Sequence, residues 1–423
     1  MTVTSAELQV KGEAARRASR RLAALSTEIK NQALLNTAEA LVAQQAQVLD
    51  ANAADYAQAR DAGLSEAMLD RMRLDEARIA SIAADVRTIA GLPDPIGEVI
   101  EGRRLPNGLD LARVRVPLGV IGAIFESRPN VTIDISSLAL KSGNAAILRG
   151  GKEAIRTNIA LASLAQEAQA AAGVPAGALQ LIEDTDRALV GELLAMKDTI
   201  DLLIPRGGAP LIEYVRDHAA MPVVAGGIGV CHTYVHRAAD LEKALAVVDN
   251  AKRRRVSICN ALDTVLVDRA IAGAFLPALG RRWAEAGVEM RCDPEAEAIL
   301  RAAGLPATPA APDDFGMEFL APIAAVRVVE SLDEALDHLE RYGSGHSEAI
   351  VTEDYAAAER FLREVDAAAL YVNASTQFTD GGQFGLGSEV GISTQKMHAR
   401  GPMGLRELTS YKWIIRGTGQ VRP

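Results

Sequence analysis

Val120-Ile121-Gly122-Ala123-Ile124-Phe125 is an unbroken apolar run, and it stops at a loop of different character, Glu126-Ser127-Arg128-Pro129-Asn130. A run of this length without polar alternation reads as a strand buried on both faces. Similar runs follow at 145–148, 179–182 and 200–204, separated by helical spacing near 132–141, 153–172 and 186–197. Buried strands alternating with helices predict the α/β class with a doubly wound parallel sheet. Such a sheet binds ligands at the carboxyl ends of its strands.

Upstream, residues 5 to about 90 are rich in Ala, Leu, Glu and Arg at helical spacing and predict two or three amphipathic helices, interrupted at Gly63 and 91–95. Residues 97–117 alternate and predict a β-ribbon. Downstream, a second α/β unit is expected, with strands at 231–236, 264–268, 323–329, 347–351 and 369–373 and helices near 239–252, 272–286, 332–341 and 355–364. A Gly-rich tail begins at 374 and ends in strand-like Tyr411-Lys412-Trp413-Ile414-Ile415, which pairs either with a ribbon elsewhere or with a neighbouring subunit.

The chain has 423 residues, enough for two or three domains, and its 49% hydrophobic and 24% charged residues exclude whole-chain disorder. A net charge of −10 argues against bulk nucleic-acid binding. No apolar run approaches the ~20 residues of a membrane helix, and residues 1–25 show no secretory pattern. Cys231, Cys259 and Cys292 are odd in number and widely spaced, which fits a reducing, cytoplasmic setting without a disulfide framework. The six histidines show no metal-ligand spacing, so no metal is expected.

Cys259 follows the basic stretch Arg253-Arg254-Arg255 and precedes the strand Thr264-Val265-Leu266-Val267. Positive charge favours a thiolate, and a nucleophilic Cys needs one; a buried structural Cys is the competing reading. Cys231 sits in an apolar strand pattern and reads as structural. Cys292 lies in an acidic stretch expected to be exposed. Pro205-Arg206-Gly207-Gly208-Ala209 closes a strand and opens a helix, where glycines let backbone approach a phosphate, although a plain strand-to-helix turn reads at least as well. Arg149 and Lys152 at another strand end suit a phosphomonoester such as the 2′-phosphate of NADP, or else a solvated turn. Ser127, Arg128 and Asn130 could serve an anion or an oxyanion. His346 could be a base or an anion contact, or a structural histidine. The segment 373–389, with Ser375, Thr376, Thr379 and Asp380, reads as a ligand-binding loop or a subunit interface.

Taken together, Glu126–Asn130, Cys259-Asn260-Ala261, 335–350, Thr394-Gln395 and His398-Ala399-Arg400-Gly401-Pro402-Met403-Gly404-Leu405 through Lys412-Trp413 resemble the gamma-glutamyl phosphate reductase family of the aldehyde dehydrogenase superfamily. The resemblance runs from about residue 8 to the C-terminus. It implies an aldehyde-dehydrogenase-like fold of two doubly wound α/β domains plus a small β oligomerisation arm. An interrupted NADPH-binding domain would span 1–100 and 120–229, a catalytic domain 230–400, and the arm 101–119 and 401–423. Cys259 would be the nucleophile, with Asn130 or Arg128 at the oxyanion. Arg149, Lys152, Arg206, Gly207, Gly208 and Glu318 would hold NADPH. Ser127, Arg128, His346, Ser375, Thr376, Thr379 and Asp380 would face the substrate. The implied activity is NADPH-dependent reduction of L-glutamyl 5-phosphate to the 5-semialdehyde with release of phosphate, the second step of proline synthesis from glutamate. The implied partners are copies of the same chain and, transiently, glutamate 5-kinase.

One departure from the wider superfamily bears on the chemistry. Hydrolytic members place a Glu before a Gly-Gly pair upstream of the cysteine, whereas Pro222-Val223-Val224-Ala225-Gly226-Gly227 carries no carboxylate. Without that general base, water activation is disfavoured. The rival readings are a hydrolytic aldehyde dehydrogenase and a non-catalytic scaffold on the same fold.

Overall fold

The computed structural model describes residues 5–224 and 226–422, so Met1–Thr4, Ala225 and Pro423, which fall in segments discussed above, lie outside the description. Five helices, more than the two or three expected, fill the N-terminal region: α1 (Ala6–Leu22), α2 (Thr27–Ala43), α3 (Gln45–Asp61), α4 (Glu66–Met72) and α5 (Glu76–Gly91). Four of them start at a residue whose side chain accepts a backbone N–H from the first turn: Ser5, Ser26, Ser65 and Asp75. Each cap of this kind is worth about 1 kcal/mol. Helices α2 and α3 abut at Gln44, which makes no capping bond, so the apolar spacing runs on across the break.

Backbone contacts group the chain into two units, Met1–Ala225 with Gly385–Gly391 and Met403–Pro423, and Gly226–Phe384 with Ile392–Pro402. In the first unit, β1 (Val99–Arg104) and β2 (Asp110–Pro117) form the expected ribbon. The C-terminal strand Thr409–Arg416 pairs antiparallel with β2 of the same chain from Thr409↔Pro117 to Arg416↔Asp110. The parallel sheet follows as β3 (Val120–Phe125), α6 (Asn130–Lys141), β4 (Ala145–Gly150), α7 (Ile155–Ala171), β5 (Leu179–Leu181), α8 (Ala188–Leu194), β6 (Leu202–Arg206) and α9 (Ala209–His218), with strand order β5-β4-β3-β6. Every residue of β3 and β4 is buried, which is why both read as continuous apolar text.

The second unit runs β7 (Cys231–Val235), α10 (Leu241–Arg253), β8 (Leu262–Asp268), α11 (Arg269–Glu285), β9 (Glu289–Cys292), α12 (Pro294–Ala302), β10 (Thr308–Pro309), β11 (Ile323–Val329), α13 (Leu332–Tyr342), β12 (Ser347–Val351), α14 (Tyr355–Glu364) and β13 (Ala369–Val372). Its seven parallel strands lie in the order β10-β9-β11-β8-β7-β12-β13. One face packs Val235, Val265 and Val267 against Leu245, Phe275 and Trp283. The other packs Tyr234, Leu266 and Ile350 against Ala335 and Phe361. Strands β9 and β10 were not expected. Cys292 ends β9 and is buried, not exposed, because β9 pairs with β10 and β11 and carries it into the core, while its acidic neighbour Asp293 serves as the N-cap of α12.

Candidate active site

Helix α10 ends at Arg253, and the chain turns through 254–261 before entering β8. Cys259 sits in that turn, half-buried, whereas Cys231 and Cys292 are fully enclosed. The turn is held from below by the segment 375–379. Thr376 Oγ1 donates to the Asn260 carbonyl at 2.8 Å, and Asn260 Nδ2 donates to the Thr379 carbonyl at 2.9 Å. Gln377 Nε2 donates to the Ala251 carbonyl at 2.7 Å and thereby satisfies the end of α10, while its Oε1 accepts from Arg254 Nε at 2.6 Å. Ser375, Thr376 and Thr379, grouped above with the substrate loop, are thus buried and engaged with the Cys259–Asn260 turn. Asp380 is exposed and its Oδ1 accepts from the backbone of Gly382 and Gln383.

His346 is buried beneath the same turn, 3.8 Å from Cys231 Sγ and 2.9 Å from Ser347 Oγ through Nδ1. Burial pushes its pKa down to about 4, so the ring is neutral at physiological pH. It touches the underside of the thiol turn through Cys231, whose Sγ donates to the Cys259 carbonyl at 3.2 Å.

Glu318 precedes a carboxylate-anchored residue: Phe319 N–H donates to Asp263 Oδ1 at 3.1 Å. Burial raises the Glu318 carboxyl above its ordinary range, and the Gly229 N–H it accepts opposes that rise. Burial likewise raises Asp263 to about 7, against the pull of Lys252 and the backbone bonds from Phe319 and Cys231. Among the described residues no group of three or more His, Cys, Asp or Glu is placed to hold a metal ion.

In the first unit, the loop after β3 places Ser127 at φ +46°, a backbone region costly for a residue with a Cβ. Its hydroxyl and N–H both point to Glu153 Oε1, at 2.9 and 2.7 Å. Asn130 opens α6 and donates from Nδ2 to Asp134 Oδ2 at 2.8 Å. Arg128 is half-buried in the same loop. Arg149 stands in β4, nearly buried, with NH2 on the Thr185 carbonyl at 3.2 Å and Nε without a partner. Lys152, just beyond, is exposed. Arg206 ends β6, and Gly207-Gly208 lead into α9 with Pro210 in its first turn.

A model of the aldehyde dehydrogenase family matches residues 2–298 and 313–414. The chain belongs to the aldehyde dehydrogenase family. It is 56% identical to the gamma-glutamyl phosphate reductase of Dehalococcoides mccartyi strain CBDB1, over 98% of each chain. It is 52% identical to that of Escherichia coli O1:K1, over 98% of this chain and 100% of the other. The crystal structure of gamma-glutamyl phosphate reductase from Thermotoga maritima superposes with a TM-score of 0.96 at 46% identity, covering 99% of this chain and 100% of that one.

For a member of the aldehyde dehydrogenase family, the group to be held is a nicotinamide dinucleotide. At the strand end, Arg149 keeps one buried N–H without a partner and Lys152 adds a second charge in solvent, an arrangement that fits a phosphate of such a group. At α9 the fit requires one movement. Glu126, an exposed side chain, already accepts the Gly208 N–H at 3.2 Å, so it must turn aside before a phosphate can use that helix end.

Four residues around these sites were not assigned a part from sequence: Gly229, Asn260, Asp263 and Asp134. Gly229, Asn260 and Asp263 act through tertiary contacts around the thiol turn and carry no spacing signal, whereas Asp134 lies one helical turn from Asn130 in α6 and accepts its side-chain N–H, an i, i+4 spacing that the sequence does show.

Proposed function

We propose that this chain reduces L-glutamyl 5-phosphate to L-glutamate 5-semialdehyde, releasing phosphate. The observation that carries the reading is the setting of Cys259, the one cysteine of the three in a half-open turn rather than in a sealed core. It is supported by relatives of that name matched over nearly the whole chain. The Cys259 sulfur attacks the acyl carbon and the carbon–oxygen bond to phosphate breaks, leaving a thioester on the sulfur. NADPH, when bound, supplies the hydride that reduces the acyl group. The carbon–sulfur bond then breaks and the aldehyde leaves. Arg149 and Lys152 hold the cofactor's adenosine phosphate, and Glu318 the nicotinamide ribose. Asn130 or Arg128 stabilises the oxyanion together with the Cys259 backbone N–H, and Asp380 and Arg128 meet the polar ends of the substrate. Ser375, Thr376, Thr379 and His346 shape the turn from beneath.

Copies of the chain are assigned to meet through the β1–β2 sheet, whose C-terminal strand exposes Tyr411, Trp413 and Ile415.

The deciding experiment runs the reaction backwards. Semialdehyde and NADP are mixed with the protein, with and without inorganic phosphate, and absorbance of NADPH is followed. Turnover that needs phosphate is expected, because phosphate is the acyl acceptor. Phosphate-independent turnover would instead identify a hydrolytic enzyme, and no turnover in either arm a scaffold. Cys259→Ser is expected to abolish turnover with NADPH affinity retained.

A further inference from the structure

Cys231 opens β7 directly beneath the Cys259 turn, and no part of the established family resemblance gives it a task. Its pairing with β8 is irregular: Cys231 faces Leu262 and His232 faces Thr264, so Asp263 is an extra residue in β8. A bulge of this kind re-aims a side chain. Here the result is that the Cys231 thiol donates to the Cys259 carbonyl oxygen at 3.2 Å. The Cys231 backbone N–H in turn bonds to the Asp263 carboxylate, the same group that accepts from Phe319 beside Glu318.

A train of polar side chains continues behind the sulfur. His346 Nδ1 lies 3.8 Å from Cys231 Sγ and 2.9 Å from Ser347 Oγ. Ser347 Oγ meets Thr379 Oγ1 at 2.6 Å, and Thr379 Oγ1 meets the Tyr371 hydroxyl at 2.7 Å. Cys231, His346, Ser347 and Thr379 are all buried. Hydrophobic side chains would fill this space without desolvating five polar groups, which burial makes costly unless each is bonded. The train ends on the peptide of the reactive residue.

We propose that Cys231 is a positioning residue for Cys259. Its thiol holds the Cys259–Asn260 peptide plane, and the train from His346 to Tyr371 holds the thiol. Burial keeps Cys231 protonated and therefore a donor throughout the working pH range. The inference rests on Cys259 being the nucleophile, and it predicts that a residue inaccessible to substrate sets the nucleophile's aim.

The test compares Cys231→Ala, which removes the donor, with Cys231→Ser, which keeps one. Cys292→Ala serves as a control for losing a buried thiol elsewhere. Turnover is measured with the phosphate-dependent assay, and the rate of Cys259 alkylation by iodoacetamide is read by peptide mapping. Small displacements of a reacting group carry large rate effects, so kcat and alkylation rate should both fall about tenfold in Cys231→Ala with the KM for cofactor unchanged. Cys231→Ser should recover both to within about threefold, since it restores the bond rather than the volume. A folded Cys231→Ala with both rates near wild type would overturn the proposal, as would a Ser variant no better than Ala. If Cys231→Ala does not fold, Ser347→Ala breaks the train one link away and must lower both rates for the proposal to stand. Retained turnover in Cys259→Ser would defeat the nucleophile reading instead, a separate result read in a separate variant.

Discussion

Gly229 packs its Cα against the peptide of Cys259 so closely that a side chain there has nowhere to go. A Cβ on Gly229 would stand 2.7 Å from the Cys259 carbonyl carbon and 2.8 Å from its Cα. Both neighbours are backbone, and real Cβ atoms do not approach that closely, so the turn itself must move. The Gly229 N–H also bonds to the Glu318 carboxylate. Gly229→Ala is therefore expected to lower kcat by at least about 100-fold, by shifting the nucleophile an ångström or less. The fold should survive, since the clash lies in one turn, and circular dichroism with a steady-state assay separates the two effects.

The three thiols should be told apart by a single alkylation experiment. Burial pushes Cys231 well above the ordinary thiol range and Cys292 up to about 12, with nearby carboxylates adding to both. A thiol kept protonated and enclosed does not react. Intact-mass measurement at pH 7.5 should show one fast adduct per chain, located at Cys259 and absent from Cys259→Ala. Fast labelling at Cys231 or Cys292 would contradict the burial described.

What could be read from the sequence follows from how each segment is buried. Strands β3, β4, β8 and β11 lie in sheet interiors and announce themselves by their apolar runs. Strand β9 is four residues long and its inward positions alternate with Glu289 and Arg291, too short a pattern to separate from a loop. The N-terminal helices are hard to separate in the sequence because Ser26, Ser65 and Asp75, though good N-caps, sit between segments whose Ala- and Leu-rich helical spacing looks alike on both sides. The segment 375–379 was the instructive case. Its Ser, Thr and Gln side chains suggest a wet binding loop, yet they are buried with their bonds made to the Cys259–Asn260 turn. Polarity signals a need for partners, and a sequence does not say whether those partners are ligand, water or the chain's own backbone. The basic stretch before Cys259 and the strand after it single out that cysteine in the sequence, and the structure places it half-buried in the turn between α10 and β8. Its supporting partners, Gly229 and Asp263, come from other elements and had no local mark.

Asp134 should make stability fall as pH rises through neutrality's acid side. Burial chiefly, with the Asp85 charge added, raises its carboxyl from 3.8 to about 6, while the bond from Asn130 and the Arg206 charge pull the other way. The folded chain thus holds a proton that the unfolded chain has already lost. The stability this group contributes is full below the unfolded value of 3.8 and is lost as pH rises through about 6. Asp134→Asn keeps an oxygen for the Asn130 amide and removes the ionisation. In urea titrations it should be more stable than wild type by roughly 1–3 kcal/mol at pH 7.5, with the difference vanishing near pH 4. Equal stability gains at both pH values would show a packing effect instead.

The C-terminal strand Thr409–Arg416 is expected to be what keeps the ribbon ordered. Without it β1 and β2 form a two-stranded hairpin, a unit that is marginal in water. With it, β2 becomes a central strand bonded on both edges. Arg113 of β2 lies 4.8 Å from the Tyr411 ring centroid and 5.8 Å from that of Trp413, adding a cation–π contact on one face. A chain ending at Leu408 should therefore become sensitive to trypsin at Arg103, Arg104 and Arg113, while the Cys259 alkylation rate, set within the other unit, stays near wild type. Ile414→Pro gives a milder version, since proline removes one N–H from the ladder opposite Ala112. Trp413→Glu leaves the ladder intact and charges the exposed face instead. It should spare trypsin resistance but lower the mass found by sedimentation equilibrium, and that contrast separates the strand's role in folding from the one proposed for it between copies.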